Sequence, residues 1–178
     1  MHRFATMADI PNLAELMRLS IAENMKSFLS AEQIEATKET MGVDQTLIED
    51  QTYFAIEIIQ QGQKILVACG GWGKRKTLYG GDNTSGRDDS FSNPMFDAAR
   101  IRAMYTHPAW VRCGIGTYLL GLGEAAARKE GFKTIELGAT LAGEPFYLAK
   151  DYEEVSRDTR IASNGAEKVV IRMKKRLQ

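Results

Sequence analysis

The chain has 178 residues and balances 23 Lys plus Arg against 23 Asp plus Glu, a formal net charge of zero. That balance excludes a global field recruiting nucleic acid or an anionic membrane, and two cysteines, Cys69 and Cys113, are too few for a disulfide framework. The length suits one domain, residues 1–178, with an ordinary core. The absence of a membrane-length apolar run or signal-peptide stretch leads to the expectation of a cytoplasmic chain in a reducing compartment.

In chain order, Arg3 to Met7 reads as a short strand. Asp9 offers an N-cap, and Ile10, Leu13, Ala14, Met17 and Ile21 fall at helical spacing, which predicts a helix from about Ile10 to Lys26. Ser30 with Gln33 fits a capping box, and Leu29 with Ile34 fits the staple around it. A second helix is therefore expected from Ser30 to near Gly42. Tyr53–Ile59 and Ile65–Gly71 read as an antiparallel hairpin turning at Gln61-Gly62-Gln63. A polar, turn-rich stretch runs from Lys74 to Pro94, and a long aperiodic segment of this kind inside a domain is commonly functional. Ala98–Thr106 is the next strand, with Ala99, Ile101, Ala103 and Tyr105 expected on one face and Arg100, Arg102 and Met104 on the other. A helix follows Gly116, burying Ile115, Leu119, Leu122 and Ala126 and ending at Gly131. Then come a buried strand, Thr134–Gly138, a short helix from about Gly143 to Lys150, and strands Tyr152–Ala162 and Lys168–Lys174 around Ser163-Asn164-Gly165. One mixed α/β sheet flanked by helices accommodates this order, with a right-handed parallel crossover from Ile101 to Gly138.

The stretch IRAMYTHPAWVRCGIGTYLLGLGEAAAR, Ile101 to Arg128, carries the chemistry. A strand feeds a turn with Gly114 and Gly116 at a helix N-terminus, where unpaired N–H groups and the helix dipole favour an anion. A phosphate-bearing ligand follows. The dinucleotide fingerprint fails, because Leu119 stands where a third small residue is needed and the next strand ends in Gly138-Ala139-Thr140 with no acid. Walker A fails as well, because Thr117-Tyr118 follows the second glycine instead of Lys-Ser/Thr.

Strand, His107-Pro108, Trp110, Arg112, Gly114-Ile115-Gly116 and a Leu-rich helix together resemble the acyl-CoA motif of the GNAT N-acetyltransferase superfamily. Phe146-Tyr147, the Asp151-Tyr152 pair and the two N-terminal helices extend the resemblance over essentially the whole chain, with residues 74–97 as a long loop insertion. The pattern departs at Val111, where a basic residue or Gln is usual, at Thr140 in place of Asn, and at Asp151 in place of Gly. The resemblance implies a twisted, mostly antiparallel mixed sheet of about six or seven strands flanked by about four helices. It also implies acetyl transfer from acetyl-CoA to a primary amine on a small molecule, with no metal. Met104, Tyr105 and Thr106 would align the pantetheine. Arg112, Cys113, Gly114, Ile115, Gly116 and Thr117 would hold the pyrophosphate, and Thr140 would add a hydrogen bond.

An attacking alkylamine, with a pKa of about 10.4 as its ammonium, must lose a proton, and the leaving thiolate must gain one. Tyr147, at the family's tyrosine position, is implied as the general acid. Glu57 and Asp97 are candidate bases by strand position. Trp72, Tyr79, Phe91 and Phe96 are candidates for an aromatic wall around the acceptor. Exposed edge strands near the C-terminus could pair in a homodimer. Two competing readings are a domain of this fold that senses acyl-CoA without turnover and a nucleotide-binding enzyme of another class.

Overall fold

The β-branched and aromatic runs at Tyr53 and Ile65 pair as the sequence dictates. The computed structural model describes residues 1–177 and places Tyr53–Gln60 (β2) antiparallel to Gln63–Gly73 (β3), turning through Gln61 and Gly62 at positive φ. His2–Phe4 (β1) adds to the outer edge of β2. Ala99–Thr106 (β4) runs antiparallel to β3, and Thr134–Ala139 (β5) parallel to β4. The hairpin of Glu153–Ile161 (β6) and Glu167–Arg176 (β7) inserts β7 beside β5 and leaves β6 at the edge. Among the described residues this is one open sheet in the order β1-β2-β3-β4-β5-β7-β6, mostly antiparallel.

Helices cover both faces. Ile10–Asn24 (α1), Ala31–Thr37 (α2) and Gln45–Glu49 (α3) lie on one side, where Leu13, Met17, Ile21, Leu47 and Tyr53 form a buried cluster. Ile115–Lys129 (α4) and Glu144–Leu148 (α5) lie on the other, where Leu119, Leu120, Ile135, Leu137, Ile171 and Met173 form the larger core. No described helix is long and apolar enough to cross a membrane.

Several expectations are corrected. The first strand stops at Phe4 because the Asp9 carboxylate accepts from Thr6 N at 2.7 Å and Thr6 Oγ1 at 2.9 Å, closing a 3-10 turn over Met7–Asp9. Asp9 therefore does not cap α1; its side chain is turned toward Thr6 and Arg3. The Ser30–Gln33 capping box forms, but α2 ends at Thr37 rather than near Gly42. The chain then enters α3, which the sequence reading missed. Asp44 caps α3 by accepting from Thr46 N at 3.2 Å.

The buried stripe of α4 is Leu119, Leu120, Gly123 and Ala127, with Ile115, Leu122 and Ala126 flanking it. Gly123 sits where a Cβ would come within 3.0 Å of Ile101 Cδ1, so its lack of a side chain lets the helix lie close on β4.

The largest correction is in β4. Between the pairs Cys69↔Tyr105 and Gly71↔Arg102, β3 contributes Gly70 alone while β4 contributes Ala103 and Met104. Ala103 is the extra residue, held at φ +51°, and such a bulge breaks the alternation of faces. Ile101 and Met104 consequently pack toward α4, while Ala103 and Tyr105 pack toward α1. Ile101 and Tyr105 do not share a face as strict alternation required.

Candidate active site

The bulge sits at the head of an opening in the sheet. β4 and β5 pair only at Ala99↔Ile135 and Arg100↔Glu136. Beyond that point β4 stays with β3 and β5 stays with β7, so the two parallel strands diverge. A cavity of about 160 Å³ occupies the wedge. Met104 and Tyr105 line it from β4, Thr140 from the end of β5, and Tyr147 from α5. The structure thus brings these four sequence-chosen residues to one cavity.

Tyr147 is held by aromatic edges, with ring centroids 5.1 Å from Phe146 and 5.7 Å from Tyr152. It is 9 % exposed, and burial raises its phenol pKa well above the ordinary value. No hydrogen bond ties its hydroxyl to another described residue, and the ring lines the cavity. Tyr152, in contrast, donates to Glu124 Oε1 at 3.0 Å, and Glu124 also receives Lys175 at 3.0 Å. Asp151, standing for the family's glycine, adopts φ +64°, the left-handed conformation that Asp tolerates better than most residues. Thr140 Oγ1 accepts from Gly143 N at 3.2 Å, so the hydroxyl stabilises the turn into α5 and keeps its own proton to donate.

At the other end of β4 the chain builds the anion loop. His107 Nδ1 accepts from Ala109 N at 3.1 Å and caps the 3-10 turn Pro108–Trp110. Arg112 at φ +61° and Gly114 at φ +79° then turn the backbone into α4. Gly114 offers no side-chain cap. The first helical bond is Tyr118 N to Gly114 O at 3.0 Å, so the N–H groups of Ile115, Gly116 and Thr117 point out of the helix end without intrahelical partners.

Residues 111–114 are exposed, and a Cβ built on Gly114 would meet nothing within 4 Å. The cradle is open and donor-rich, which fits a pyrophosphate. Gly116 lies under Phe146, whose ring is 3.6 Å from where a Cβ would sit, so the loop and the Tyr147 helix are packed together. Arg112 makes no ion pair among the described residues, Cys113 Sγ lies 3.4 Å from Val111 O and is exposed, and Thr106 O accepts from Asn24 Nδ2 at 2.8 Å.

Two groups of candidates fall elsewhere. Glu57 faces α1, where Arg3 binds it at 2.7 Å, and it does not line the cavity. Asp97 accepts from Asn93 N at 2.7 Å and shapes the loop. Neither reaches the cavity as a base. Of the four proposed wall aromatics only Tyr79 lines it. Trp72 packs on Phe132 in the core, Phe91 stacks on Arg75, and Phe96 is 83 % exposed.

The loop 74–97 does form a cavity wall, through Leu78 to Gly81, for a reason the sequence hid. Arg102, 4 % exposed, donates to Asp44 Oδ2 at 2.7 Å, Thr77 O at 3.0 Å and Gly80 O at 2.6 Å. Arg87 joins the same Asp44 carboxylate at 3.0 Å and also Asp89 at 3.0 Å. Burial lowers the Arg102 pKa, and Asp44 is the largest opposing influence that keeps the guanidinium charged. Two arginines, Arg100 and Arg102, alternating with apolar residues on a central strand were the available signal. Among the described residues no group of acids, histidines and cysteines could hold a metal ion.

The Acetyltransferase (GNAT) family model matches residues 15–148. No curated protein sequence matches the chain. Among solved structures, a GCN5-related N-acetyltransferase from Rhodopseudomonas palustris is similar over 99 % of this chain and 95 % of its own, with TM-score 0.68 and 19 % identity. The PaiA N-acetyltransferase of Thermoplasma acidophilum, solved in complex with coenzyme A, covers 99 % and 98 % with TM-score 0.59 and 15 % identity. The ribosomal-protein-S18-alanine N-acetyltransferase of Escherichia coli covers 100 % and 94 % with TM-score 0.57 and 15 % identity. At these identities the likeness is one of fold.

Proposed function

Because the chain belongs to the acetyltransferase (GNAT) family, we propose that it transfers the acetyl group of acetyl-CoA to a primary amine, with Tyr147 as general acid. The observation that carries this reading is the wedge between β4 and β5. Its β4 wall leads, through Thr106 and the His107 turn, into an open cradle of N–H groups, and a buried tyrosine hydroxyl with no hydrogen-bond partner among the described residues lines the cavity in it. A solved structural neighbour of similar length binds coenzyme A, which supports the choice of donor.

In the proposed complex the pyrophosphate lies on the N–H groups from Arg112 to Thr117, where the helix dipole adds to the hydrogen bonds. The pantetheine runs along β4 at Met104, Tyr105 and Thr106, whose β5-facing edge is left without a strand partner by the divergence. Thr140 supplies a hydroxyl from the opposite strand. The amine nitrogen attacks the thioester carbonyl carbon, the C–N bond forms and the C–S bond breaks. The electron pair leaves on sulfur, and Tyr147 gives that sulfur its proton. The first ammonium proton of the acceptor goes to water in the cavity, since the two carboxylates suggested by strand position are bound elsewhere, and the second, lost from the nitrogen as the amide forms, returns through water to Tyr147 and restores its phenol.

Burial of Tyr147 favours this role. A raised pKa keeps the phenol protonated throughout the neutral range, so the acid form is always available. The experiment is turnover: free CoA thiol released from acetyl-CoA with a panel of amines, beside thermal shifts with acetyl-CoA, NAD and ATP. Acetyl-CoA is expected to stabilise the protein and an amine to release CoA. Stabilisation by NAD or ATP but not by acetyl-CoA contradicts the reading.

A further inference from the structure

The cavity has an acceptor face whose chemistry is specific. It is walled by Met25, Leu29, Met41, Leu78, Tyr79 and Val170, side chains with no formal charge. Along β7 the side chains alternate: Val169 and Ile171 pack toward α4, so Lys168 and Val170 face the opposite way, toward Tyr79 and α2. A Cβ built on Gly138 would stand 3.2 Å from both Tyr79 and Val170, which places those two together over the wedge.

Lys168 is then the charged group presented on this face. Its side chain is 14 % exposed and lines the cavity. It donates to Thr40 Oγ1 at 3.2 Å. It also forms an ion pair with Glu39 at 3.7 Å, longer than a hydrogen bond, and the other Glu39 oxygen is taken by Ser163 N at 2.8 Å. An ammonium has three N–H donors, so Lys168 is oriented by Thr40 and Glu39 with donors to spare.

Arg102 also borders the cavity, but its guanidinium is spent on Asp44, Thr77 O and Gly80 O. Asp44 is in turn occupied by two arginines. Glu167 also borders the cavity, but it is exposed at the first position of β7, and alternation turns its side chain toward the other face of the strand. The acceptor face therefore holds a cation with donors to spare, while the carboxylates near it are engaged, Glu39 by Lys168 and Ser163, or turned away, as Glu167 is.

A polycationic acceptor needs anionic partners for each charge it brings out of water. This face provides the reverse: apolar surface for a hydrocarbon side chain and one ammonium for a carboxylate. We infer that the acceptor is a small apolar amino carboxylate, its carboxylate held by Lys168 and Thr40 and its side chain packed among Met25, Met41, Leu78 and Tyr79. The inference rests on the acetyltransferase reading above and names its substrate class.

The test uses L-leucine, L-leucinol and spermidine as acceptors for CoA release. It adds binding of N-acetyl-L-leucine and N-acetyl-L-leucinamide to the protein with CoA, each in wild type and in Lys168→Met. Leucine is expected to exceed leucinol in kcat/KM by about tenfold or more, the scale of a charge-assisted hydrogen bond. Lys168→Met should bring that ratio to about one, a comparison internal to each variant and so independent of its stability. A higher kcat/KM for spermidine or leucinol than for leucine overturns the inference and leaves acetyl transfer standing. If no amine releases CoA, acetyl transfer fails. The carboxylate site is then judged by binding: preference for N-acetyl-leucine over its amide, lost in Lys168→Met, supports it, and equal binding overturns it.

Discussion

The buried charge cluster that fastens the loop 74–97 can be broken at one atom. Asp44 and Arg102 are 1 % and 4 % exposed at their side chains and 2.7 Å apart, and Arg87 shares the carboxylate at 8 % exposure. Asp44→Asn keeps the volume and the N-cap acceptor for Thr46 N, because Asn caps as well as Asp. It removes the charge that offsets the burial of Arg102. Arg87 retains Asp89, so the loss falls mainly on Arg102.

Removing one partner of a buried ion pair costs about 3–5 kcal/mol. With a urea m-value of about 2 kcal/mol/M, the midpoint should fall by about 1.5–2.5 M. Arg102→Met, alone and combined with Asp44→Asn, completes a double-mutant cycle in which the coupling should reach about 2 kcal/mol or more. Amide exchange at Leu78 to Gly81 should accelerate in both single variants, because Thr77 O and Gly80 O are bonded by the same guanidinium. A midpoint within about 0.3 M of wild type, with unchanged exchange in the loop, would refute the reasoning.

Gly71→Ala tests the close approach of β3 to the chain entering β2. The new Cβ would stand 2.1 Å from Thr52 O, a backbone atom that cannot rotate away, so a loss of about 2 kcal/mol or more is expected in urea unfolding, at the upper end of overpacking costs. The Asp9 carboxylate is held well below the usual range, first by its hydrogen bonds to Arg3. A depressed folded pKa contributes stability that is present above the unfolded value of about 3.9 and lost as pH falls through the folded one. Thermal melts should accordingly show wild type losing its advantage over Asp9→Asn progressively below about pH 4; a constant gap from pH 7 to pH 2 would contradict the assignment.

Those features divide between what local pattern encodes and what tertiary contact decides. The β2–β3 hairpin, the α4 crossover and the Ser30 capping box are written in adjacent residues, because turn chemistry and apolar period act over a few positions. The helix α3 is one short turn of apolar Leu47 and Ile48 before a strand, too brief to show a period. The bulge at Ala103 carries no glycine or asparagine to announce it; the register of β3 against β4 imposes the positive φ. The same limit explains the site. Met104, Tyr105, Thr140 and Tyr147 could be chosen from motif spacing, and the structure places them around one cavity. Glu57 and Asp97 could not be excluded by strand position, which does not reveal that Arg3 and Asn93 hold them. Asp44 with Arg102 and Thr40 with Lys168 join residues 58 and 128 positions apart, and only the fold brings them together.

The central claim is acetyl transfer with Tyr147 as the acid, and Tyr147→Phe tests it most directly. CoA release from acetyl-CoA with a productive amine should fall by about 10²–10⁴-fold, the usual worth of a general acid, while acetyl-CoA still raises the melting temperature of the variant. In wild type the rate should show no alkaline decline until above about pH 10, since burial raises the phenol beyond its ordinary value. A Tyr147→Phe enzyme with turnover within about threefold of wild type, or a wild-type rate that already declines below about pH 9, would contradict the account.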